Sequence, residues 1–248
     1  MRVLIAGGGT AGHINPAIAI AQTIKNKCPE AEILFVGNEG GLEQRLVKNA
    51  GFPIKSISIR GFQRSLSPKA IVKNIGTVFK AVSASSSAKK IIKEFDPDIC
   101  VGTGGYVSGP VIKAAQGLKI PTVIHEQNAY PGVTTKMLSK KAKRVMLAME
   151  AARGRMDSSC NFTLTGNPVR PEIIEASKEA SRKALGLDSR PLVVSFGGSM
   201  GARKINENMA PIIARSGKDK KYQHIHAYGQ YGKWFPELLR EQGTDPDK

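Results

Sequence analysis

A short apolar run leads directly into a glycine turn in the stretch Val3-Leu4-Ile5-Ala6-Gly7-Gly8-Gly9-Thr10-Ala11-Gly12-His13. A continuous apolar run of this kind is typical of a strand buried on both faces. Pro16 and the apolar residues that follow at helical spacing predict a helix straight after the turn. The stretch therefore predicts a strand, a tight turn and a helix, which is the repeating unit of an open parallel α/β sheet.

The same theme recurs further along the chain. Short apolar runs occupy residues 32–36, 99–101 and 121–124, and each ends in glycine or in a polar turn. Helical spacing of apolar residues lies between them, around Leu46 and over residues 68–95. This alternation predicts a doubly wound α/β domain over residues 1–165.

The pattern restarts after a turn-rich linker, Gly166-Asn167-Pro168-Val169-Arg170-Pro171. A strand is predicted over 192–196 and a helix over 203–215, followed by a strand over 223–228 and a helix over 231–242. We therefore predict a second α/β domain over residues 166–248, of which the chain supplies the linker and the first part.

The charge balance favours an anionic partner. The 248 residues include 37 Lys and Arg against 20 Asp and Glu, a formal net charge of +17. Such a charge suits nucleic acid, an acidic membrane or a phosphorylated substrate. Only 6% of the residues are aromatic and no RRM, KH or zinc-finger pattern is present, which argues against nucleic acid. Three widely spaced cysteines argue against a disulfide framework and against a zinc site.

Three glycine-rich turns follow predicted strands, beginning at Gly7, Gly102 and Gly197. Open parallel sheets bind ligands beyond the carboxyl ends of their strands, where these turns lie. Glycine lets backbone N–H groups close on an anion, and a helix N-terminus adds positive partial charge. The alternative is that each turn only connects a strand to a helix. Three such turns in so basic a chain favour phosphate binding.

A dinucleotide-dependent oxidoreductase is a second hypothesis, because Gly7, Gly9 and Gly12 fit G-x-G-x-x-G. That class needs an acidic residue at the end of the second strand, about 20 residues on, to bind a ribose hydroxyl. Glu32 begins that strand and Glu39 lies beyond its end, so neither is well placed. An Asp96-Pro97-Asp98 pair could hold a divalent metal, but it precedes its strand and is expected at the opposite edge of the sheet.

With these motifs in place, the chain resembles the MurG family, the UDP-N-acetylglucosamine:N-acetylmuramoyl-(pentapeptide)-pyrophosphoryl-undecaprenol N-acetylglucosaminyltransferases of bacterial cell-wall synthesis. The resemblance runs from Met1 nearly to the end of the chain. It rests on five motifs in order: Gly8-Gly9-Thr10-Ala11-Gly12-His13, Gly102-Thr103-Gly104-Gly105-Tyr106-Val107-Ser108-Gly109-Pro110, His125-Glu126-Gln127-Asn128, Gly166-Asn167-Pro168-Val169-Arg170 and Gly197-Gly198-Ser199-Met200-Gly201-Ala202.

The resemblance implies a GT-B glycosyltransferase fold of two Rossmann-like domains, the second incomplete because the family's second domain continues beyond residue 248. The family transfers GlcNAc from UDP-GlcNAc to the sugar 4-hydroxyl of lipid I, making lipid II with inversion and without a cofactor or an essential bound metal. The resemblance also implies a peripheral location on the cytoplasmic face of the bacterial plasma membrane. We expect transfer by this chain to be weak or absent, which leaves a non-catalytic binder of lipid I or membrane as a third hypothesis.

The resemblance also assigns site residues. Matched motif by motif, it implies UDP-GlcNAc contacts at Thr10, Ala11, Gly12, Asn128, Arg170 and Ser199. It implies that Gly9, Gly104, Gly105 and Tyr106 hold the acceptor diphosphate. It ties His13 to catalysis, as general base or as support for the acceptor site. Imidazole suits the removal of a proton from a hydroxyl, although a histidine at a helix start can also simply pack or cap it.

Two basic segments predict binding to an anionic membrane surface. The first interleaves lysines with apolar residues at helical spacing, and its lysines are Lys69, Lys73, Lys80, Lys89, Lys90 and Lys93. The second comprises Lys136, Lys140, Lys141, Lys143 and Arg144. Basic amphipathic helices bind anionic lipid surfaces, but the alternative for the first segment is an ordinary helix with its apolar stripe in the core.

Overall fold

The computed structural model describes residues 1–59 and 84–246, which form two compact units, Met1–Glu175 (unit 1) and Ala176–Lys248 (unit 2). The predicted helix over 68–95 is confirmed for residues 84–95. Its remaining part, with Lys69, Lys73 and Lys80, lies outside the described residues.

The described residues of unit 1 form a seven-stranded parallel sheet. Its strands are β1 (Arg2–Gly7), β2 (Glu32–Asn38), β3 (Ile54–Ile57), β4 (Ile99–Gly104), β5 (Thr122–Glu126), β6 (Arg144–Leu147) and β7 (Phe162–Leu164). They lie in the order β3-β2-β1-β4-β5-β6-β7, and each neighbouring pair is parallel. The chain direction across the sheet reverses between β1 and β4, which makes the gap between them the switch point of a doubly wound sheet.

Helices cover both faces of this sheet. They are α1 (Ala11–Lys27), α2 (Leu42–Asn49), α3 (residues 84–95), α4 (Gly105–Gly117), α5 (Val133–Ser139) and α6 (Pro171–Ile174), with a 3-10 helix at Glu150–Arg155. Successive residues of β1 point to opposite faces. Val3 and Ile5 pack with α1 and α2, whereas Leu4 and Ala6 pack with α3 and α4. The uninterrupted apolar run of β1 is therefore explained by burial on both sides.

Unit 2 repeats the theme on a smaller scale. It contains α7 (Lys178–Ala184), β8 (Leu192–Phe196), α8 (Arg203–Asp219), β9 (Gln223–Ala227) and α9 (Phe235–Glu241). The two strands pair in parallel, as predicted for a second α/β start. The last helix begins at Phe235, later than the predicted residue 231, and Pro236 lies in its first turn, where proline is favoured.

Candidate functional site: two glycine loops at the switch point of unit 1

The first two glycine loops meet at the carboxyl ends of β1 and β4. Gly7 of β1 is in register with Gly104 of β4. The N–H of Gly8 donates to the carbonyl oxygen of Gly104 at 3.4 Å. A Cβ on Gly105 would overlap the carbonyl oxygen of Gly8, and Gly105 has a φ of +77°. Only glycine fits this close approach of two backbones.

Two helix N-termini converge on the same edge of the sheet. Thr10 is the N-cap residue of α1 and Gly104 that of α4, and neither position supplies a side-chain cap. Neither helix has an acidic residue in its first turn. The first N–H groups of both helices and their positive dipole ends are therefore available to an anion.

Glu43, which the sequence analysis did not single out, organises the first loop from inside the protein. It lies in the first turn of α2 and is 0% exposed. Its carboxylate accepts the N–H of Asn38 at 2.7 Å and the N–H of Gly9 at 3.2 Å. The N–H of Gly9 is therefore held by Glu43, so Gly9 contributes to the site through its backbone shape.

Tyr106 in the first turn of α4 packs its ring against Gly9. A Cβ on Gly9 would lie 2.8 Å from Cε1 of Tyr106, and Gly9 has a φ of +85°. Partial burial raises the pKa of Tyr106, and the negative charge of Glu43 raises it further, against a hydrogen bond to Asn38 that lowers it. The phenol is therefore protonated at neutral pH and able to donate a hydrogen bond.

His13 lies between the two loops, one turn into α1. A Cβ on Gly104 would lie 2.7 Å from Nδ1 of His13. The same nitrogen is 3.1 Å from the carbonyl oxygen of Thr103 and 3.0 Å from Oε1 of Gln127. The hydroxyl of Thr103 donates to the carbonyl oxygen of His13 at 2.8 Å. The backbone of β4 and the Gln127 side chain from the loop after β5 thus fix the imidazole at the switch point, and the Thr103 side chain fixes the backbone of His13.

The His125-Glu126-Gln127-Asn128 motif reaches the same place from β5. Glu126 is almost fully buried, and its Oε1 accepts the backbone N–H of Asn128 at 3.0 Å and the side-chain Nδ2 at 2.9 Å. Its Oε2 accepts the N–H of Gly132, the N-cap residue of α5, at 3.1 Å. Because Glu126 accepts from the backbone N–H and from the side-chain Nδ2 of Asn128, the Asn128 side chain has a fixed orientation beside Gln127.

The structure brings most of the predicted site residues together in unit 1. Thr10, Ala11 and Gly12 form the start of α1, next to His13. Ala11 has no positive φ, so its methyl is compatible with the backbone at the start of α1. Arg170 is an exposed residue at the N-cap position of α6.

Ser199 belongs to unit 2, in the third glycine turn. That turn is closed by the N–H of Gly201, which donates to the carbonyl oxygen of Gly198 at 3.0 Å. A Cβ on Gly201 would overlap the carbonyl oxygen of Tyr228. The third glycine turn is therefore packed tightly against the loop after β9.

Of the acidic residues weighed for ribose or metal binding, Glu32 and Asp98 lie at the amino edge of the sheet, whereas Glu39 directly follows the carboxyl end of β2. Glu32 begins β2 and forms an ion pair with Arg2 at 3.4 Å, and Asp98 accepts the N–H of Arg2 at 2.7 Å. The predicted position of Asp96-Pro97-Asp98 at the amino edge of the sheet is therefore confirmed. Within residues 1–59 and 84–246, no three His, Cys, Asp or Glu side chains group closely enough to hold a metal ion.

The chain is similar to glycosyltransferases in both sequence and structure. The model of the glycosyltransferase family 28 N-terminal domain matches residues 3–147. The crystal structure of Acinetobacter baumannii MurG superposes with a TM-score of 0.64 at 26% identity, covering 98% of this chain and 64% of that one. UDP-GlcNAc 2-epimerase from Neisseria meningitidis gives a TM-score of 0.60 at 15% identity, covering 97% of this chain and 70% of that one, and shares the fold alone. The predicted α/β class and GT-B glycosyltransferase fold are thereby confirmed.

The chain belongs to glycosyltransferase family 28. It is 48% identical, over 93% of its length, to the UDP-N-acetylglucosamine--N-acetylmuramyl-(pentapeptide) pyrophosphoryl-undecaprenol N-acetylglucosamine transferase of Acetivibrio thermocellus. It is 43% identical, over 98% of its length, to the protein of the same name from Desulforamulus reducens. These relatives confirm the resemblance to the MurG family. The chain spans 62% and 65% of their respective lengths.

Proposed function

We propose that this chain acts in the transfer of GlcNAc from UDP-GlcNAc to the muramoyl 4-hydroxyl of lipid I, which forms lipid II with inversion at the transferred sugar. The observation that carries the proposal is the meeting of two uncapped helix N-termini and an imidazole at one switch point. A diphosphate-bearing acceptor needs positive partial charge and a base close together, and this edge of the sheet supplies both.

In this proposal unit 1 binds the acceptor diphosphate. The N–H groups at the start of α4, after Gly104 and Gly105, face the phosphate oxygens, and the Tyr106 hydroxyl donates a further hydrogen bond. Gly9 contributes by leaving room for the Tyr106 ring. The donor UDP-GlcNAc is assigned to Thr10, Ala11, Gly12, Asn128, Arg170 and Ser199. We also propose that domain 1–165 is the acceptor- and membrane-side domain and that domain 166–248 is the first part of the UDP-sugar-binding domain.

The chemistry follows from these positions. His13 takes the proton of the acceptor 4-hydroxyl while that oxygen forms a bond to C1 of GlcNAc. The bond from C1 to the diphosphate breaks at the same time, and UDP leaves with the electron pair. Attack on the face opposite the leaving group inverts the configuration at C1. General base catalysis of this type contributes about 10²–10⁴-fold to a rate.

Donor binding separates this proposal from the oxidoreductase alternative. We expect calorimetric titration of the chain to detect binding of UDP-GlcNAc and no comparable binding of NAD, because Glu32 lies at the amino end of β2 and pairs with Arg2, away from the glycine turns. Preferential binding of NAD would reject a glycosyltransferase role. A chain that binds lipid I analogues but neither nucleotide would support the non-catalytic binder.

We also propose that the chain docks on an anionic membrane surface at the cytoplasmic face. No helix in the described ranges has both the length and the apolar composition to cross a bilayer. A cavity of about 320 Å³ at the amino edge of the sheet is lined by Lys119, Lys140, Lys141 and Lys143. Lys140 is paired with Asp157 at 2.9 Å, and that hydrogen bond raises the pKa of Lys140.

Exposed apolar side chains on and beside α5 support the same proposal. Tyr130, Val133 and Met137 are 74%, 76% and 63% exposed. Val133 and Met137 are four residues apart in α5 and therefore lie on one side of it, and Tyr130 lies in the loop before the helix. Lys136 lies among them in sequence and Lys141 follows them, so this part of the surface offers both apolar contact and positive charge to lipid.

Vesicle co-sedimentation tests the membrane proposal. Combined Lys119→Glu, Lys141→Glu and Lys143→Glu should weaken binding to phosphatidylglycerol-containing vesicles by about 100-fold or more, since each basic residue near such a surface contributes about 1 kcal/mol. The matched control is Lys218→Glu, Lys220→Glu and Lys221→Glu in unit 2, which makes the same charge change. Equal losses in the two variants would show that net charge, and not this surface, binds lipid. Lys69→Glu, Lys73→Glu and Lys80→Glu test the first basic segment in the same way.

A further inference from the structure

We propose that Gln127 is a positioning residue that holds the His13 imidazole in the tautomer with its proton on Nδ1, so that Nε2 is unprotonated and able to accept a proton. This inference rests on the proposed function, in which His13 is the base. It is drawn from the directions of the hydrogen bonds that join His13, Gln127 and His125.

The orientation of the Gln127 amide is fixed by two backbone carbonyl groups. Its Nε2 is 2.8 Å from the carbonyl oxygen of Thr103 and 3.2 Å from that of His125. Carbonyl oxygens only accept hydrogen bonds, so the nitrogen end of the amide must face them. The other end, Oε1, then faces His13.

The hydrogen bonds of His125 require the same orientation of the Gln127 amide. The ring is fully buried, and its Nε2 lies 3.0 Å from the carbonyl oxygen of Gly166. Burial lowers the pKa of His125, against smaller opposing effects of the Gly166 hydrogen bond and the Glu126 charge, so the ring is neutral at pH 7. A neutral ring that donates from Nε2 accepts at Nδ1, and Nε2 of Gln127 is 2.9 Å from that atom.

His13 is thereby left with one consistent tautomer. Its Nδ1 faces Oε1 of Gln127 at 3.0 Å and the carbonyl oxygen of Thr103 at 3.1 Å, and both oxygens are acceptors. Nδ1 must therefore carry the proton, and a neutral imidazole then has its lone pair on Nε2. Among residues 1–59 and 84–246, no hydrogen-bond partner occupies Nε2.

In the proposed transfer, His13 is therefore already in the tautomer whose Nε2 can accept a proton. The acceptor hydroxyl proton moves to Nε2, and the imidazolium that forms keeps its Nδ1 proton on Gln127 and Thr103. The groups that contact the ring from β4 and from the loop after β5 are Thr103, Gly104 and Gln127, and none of them titrates. His125 is the titratable group linked to His13 through Gln127.

Nitrogen-15 NMR of the histidine-labelled chain tests the tautomer directly, without any need for turnover. We expect the neutral form of His13 to show a protonated Nδ1 and an unprotonated Nε2. In Gln127→Glu, which keeps the shape but places a carboxylate beside Nδ1, His13 should take up its second proton at a pH higher by about one unit or more. If residue 127 did not face Nδ1 of His13, the added carboxylate would leave that titration nearly unchanged.

The matched control is Gln44→Glu, which makes the same change on α2, where the amide donates to Asn38 and Ser56 instead of contacting His13. A protonated Nε2 in neutral His13 of the parent would overturn the inference, even if Gln127→Glu failed to fold. Equal shifts of the His13 titration in Gln127→Glu and Gln44→Glu would also overturn the inference. If the parent chain did not bind UDP-GlcNAc in calorimetry, the proposed function would be rejected, but the tautomer measured by NMR would not be affected. The two failures are therefore distinguishable.

Discussion

Replacement of Gly105 by alanine should abolish binding of a lipid I analogue and lower the free energy of unfolding of unit 1 by about 3 kcal/mol. Two costs add here: a left-handed φ costs a residue with a Cβ about 1–2 kcal/mol, and overpacking costs about 1–3 kcal/mol. The new Cβ would overlap the carbonyl oxygen of Gly8, so the two glycine loops must separate. Urea unfolding and calorimetry with a short-chain analogue measure the two effects.

Gly117→Ala is the matched control for this change, because it lies at the other end of the same helix and a Cβ there meets nothing within 4 Å. We expect Gly117→Ala to leave unfolding and binding essentially as in the parent. If Gly105→Ala behaved like Gly117→Ala, the contact between the loops would have no importance for the site.

Replacement of Glu43 by alanine should lower the free energy of unfolding by about 3 kcal/mol. The change leaves the N–H groups of Asn38 and Gly9 without their partner, and an unsatisfied buried donor costs about 1–3 kcal/mol, with more lost when the partner was charged. Urea unfolding followed by circular dichroism provides the measurement.

Glu39→Ala is the control, since Glu39 is exposed in the turn four residues earlier and removes the same charge. We expect its effect on unfolding to stay within about 0.5 kcal/mol, as for most surface substitutions. Equal destabilisation by the two variants would mean that charge balance, and not the hydrogen bonds of Glu43, stabilises the loop.

The strands at the centre of the sheet could be predicted from the sequence, and those at its margins could not. The residues of β1 form an apolar run because helices cover both faces of that strand. β3 and β7 are the edge strands and are only four and three residues long. In β3 the two middle residues, Lys55 and Ser56, are exposed, so no apolar run marks the strand.

The structure brings the glycine turns after β1 and β4 together at one edge of the sheet, and the ligand site proposed there stays a prediction. Glu43 was missed because a charged residue is expected on the surface. Its spacing to Val47, four residues on, places both on one face of α2, and this was a signal available in the sequence. The assignment of individual residues to donor and acceptor stays a prediction.

The role of Gln127 could not be predicted from the sequence. Its amide is oriented by Thr103 and His125, and its effect falls on His13, which is 114 residues away along the chain. The hydrogen-bond directions depend on the register between α1, β4 and the loop after β5. No local pattern encodes that register.

Calorimetric titration of the chain with a short-chain lipid I analogue tests whether the acceptor diphosphate binds where the two glycine loops meet. If it does, we expect saturable binding that disappears in Gly105→Ala and persists in Gly117→Ala. Absence of binding by the folded parent chain, or binding that Gly105→Ala leaves unchanged, would contradict this proposal.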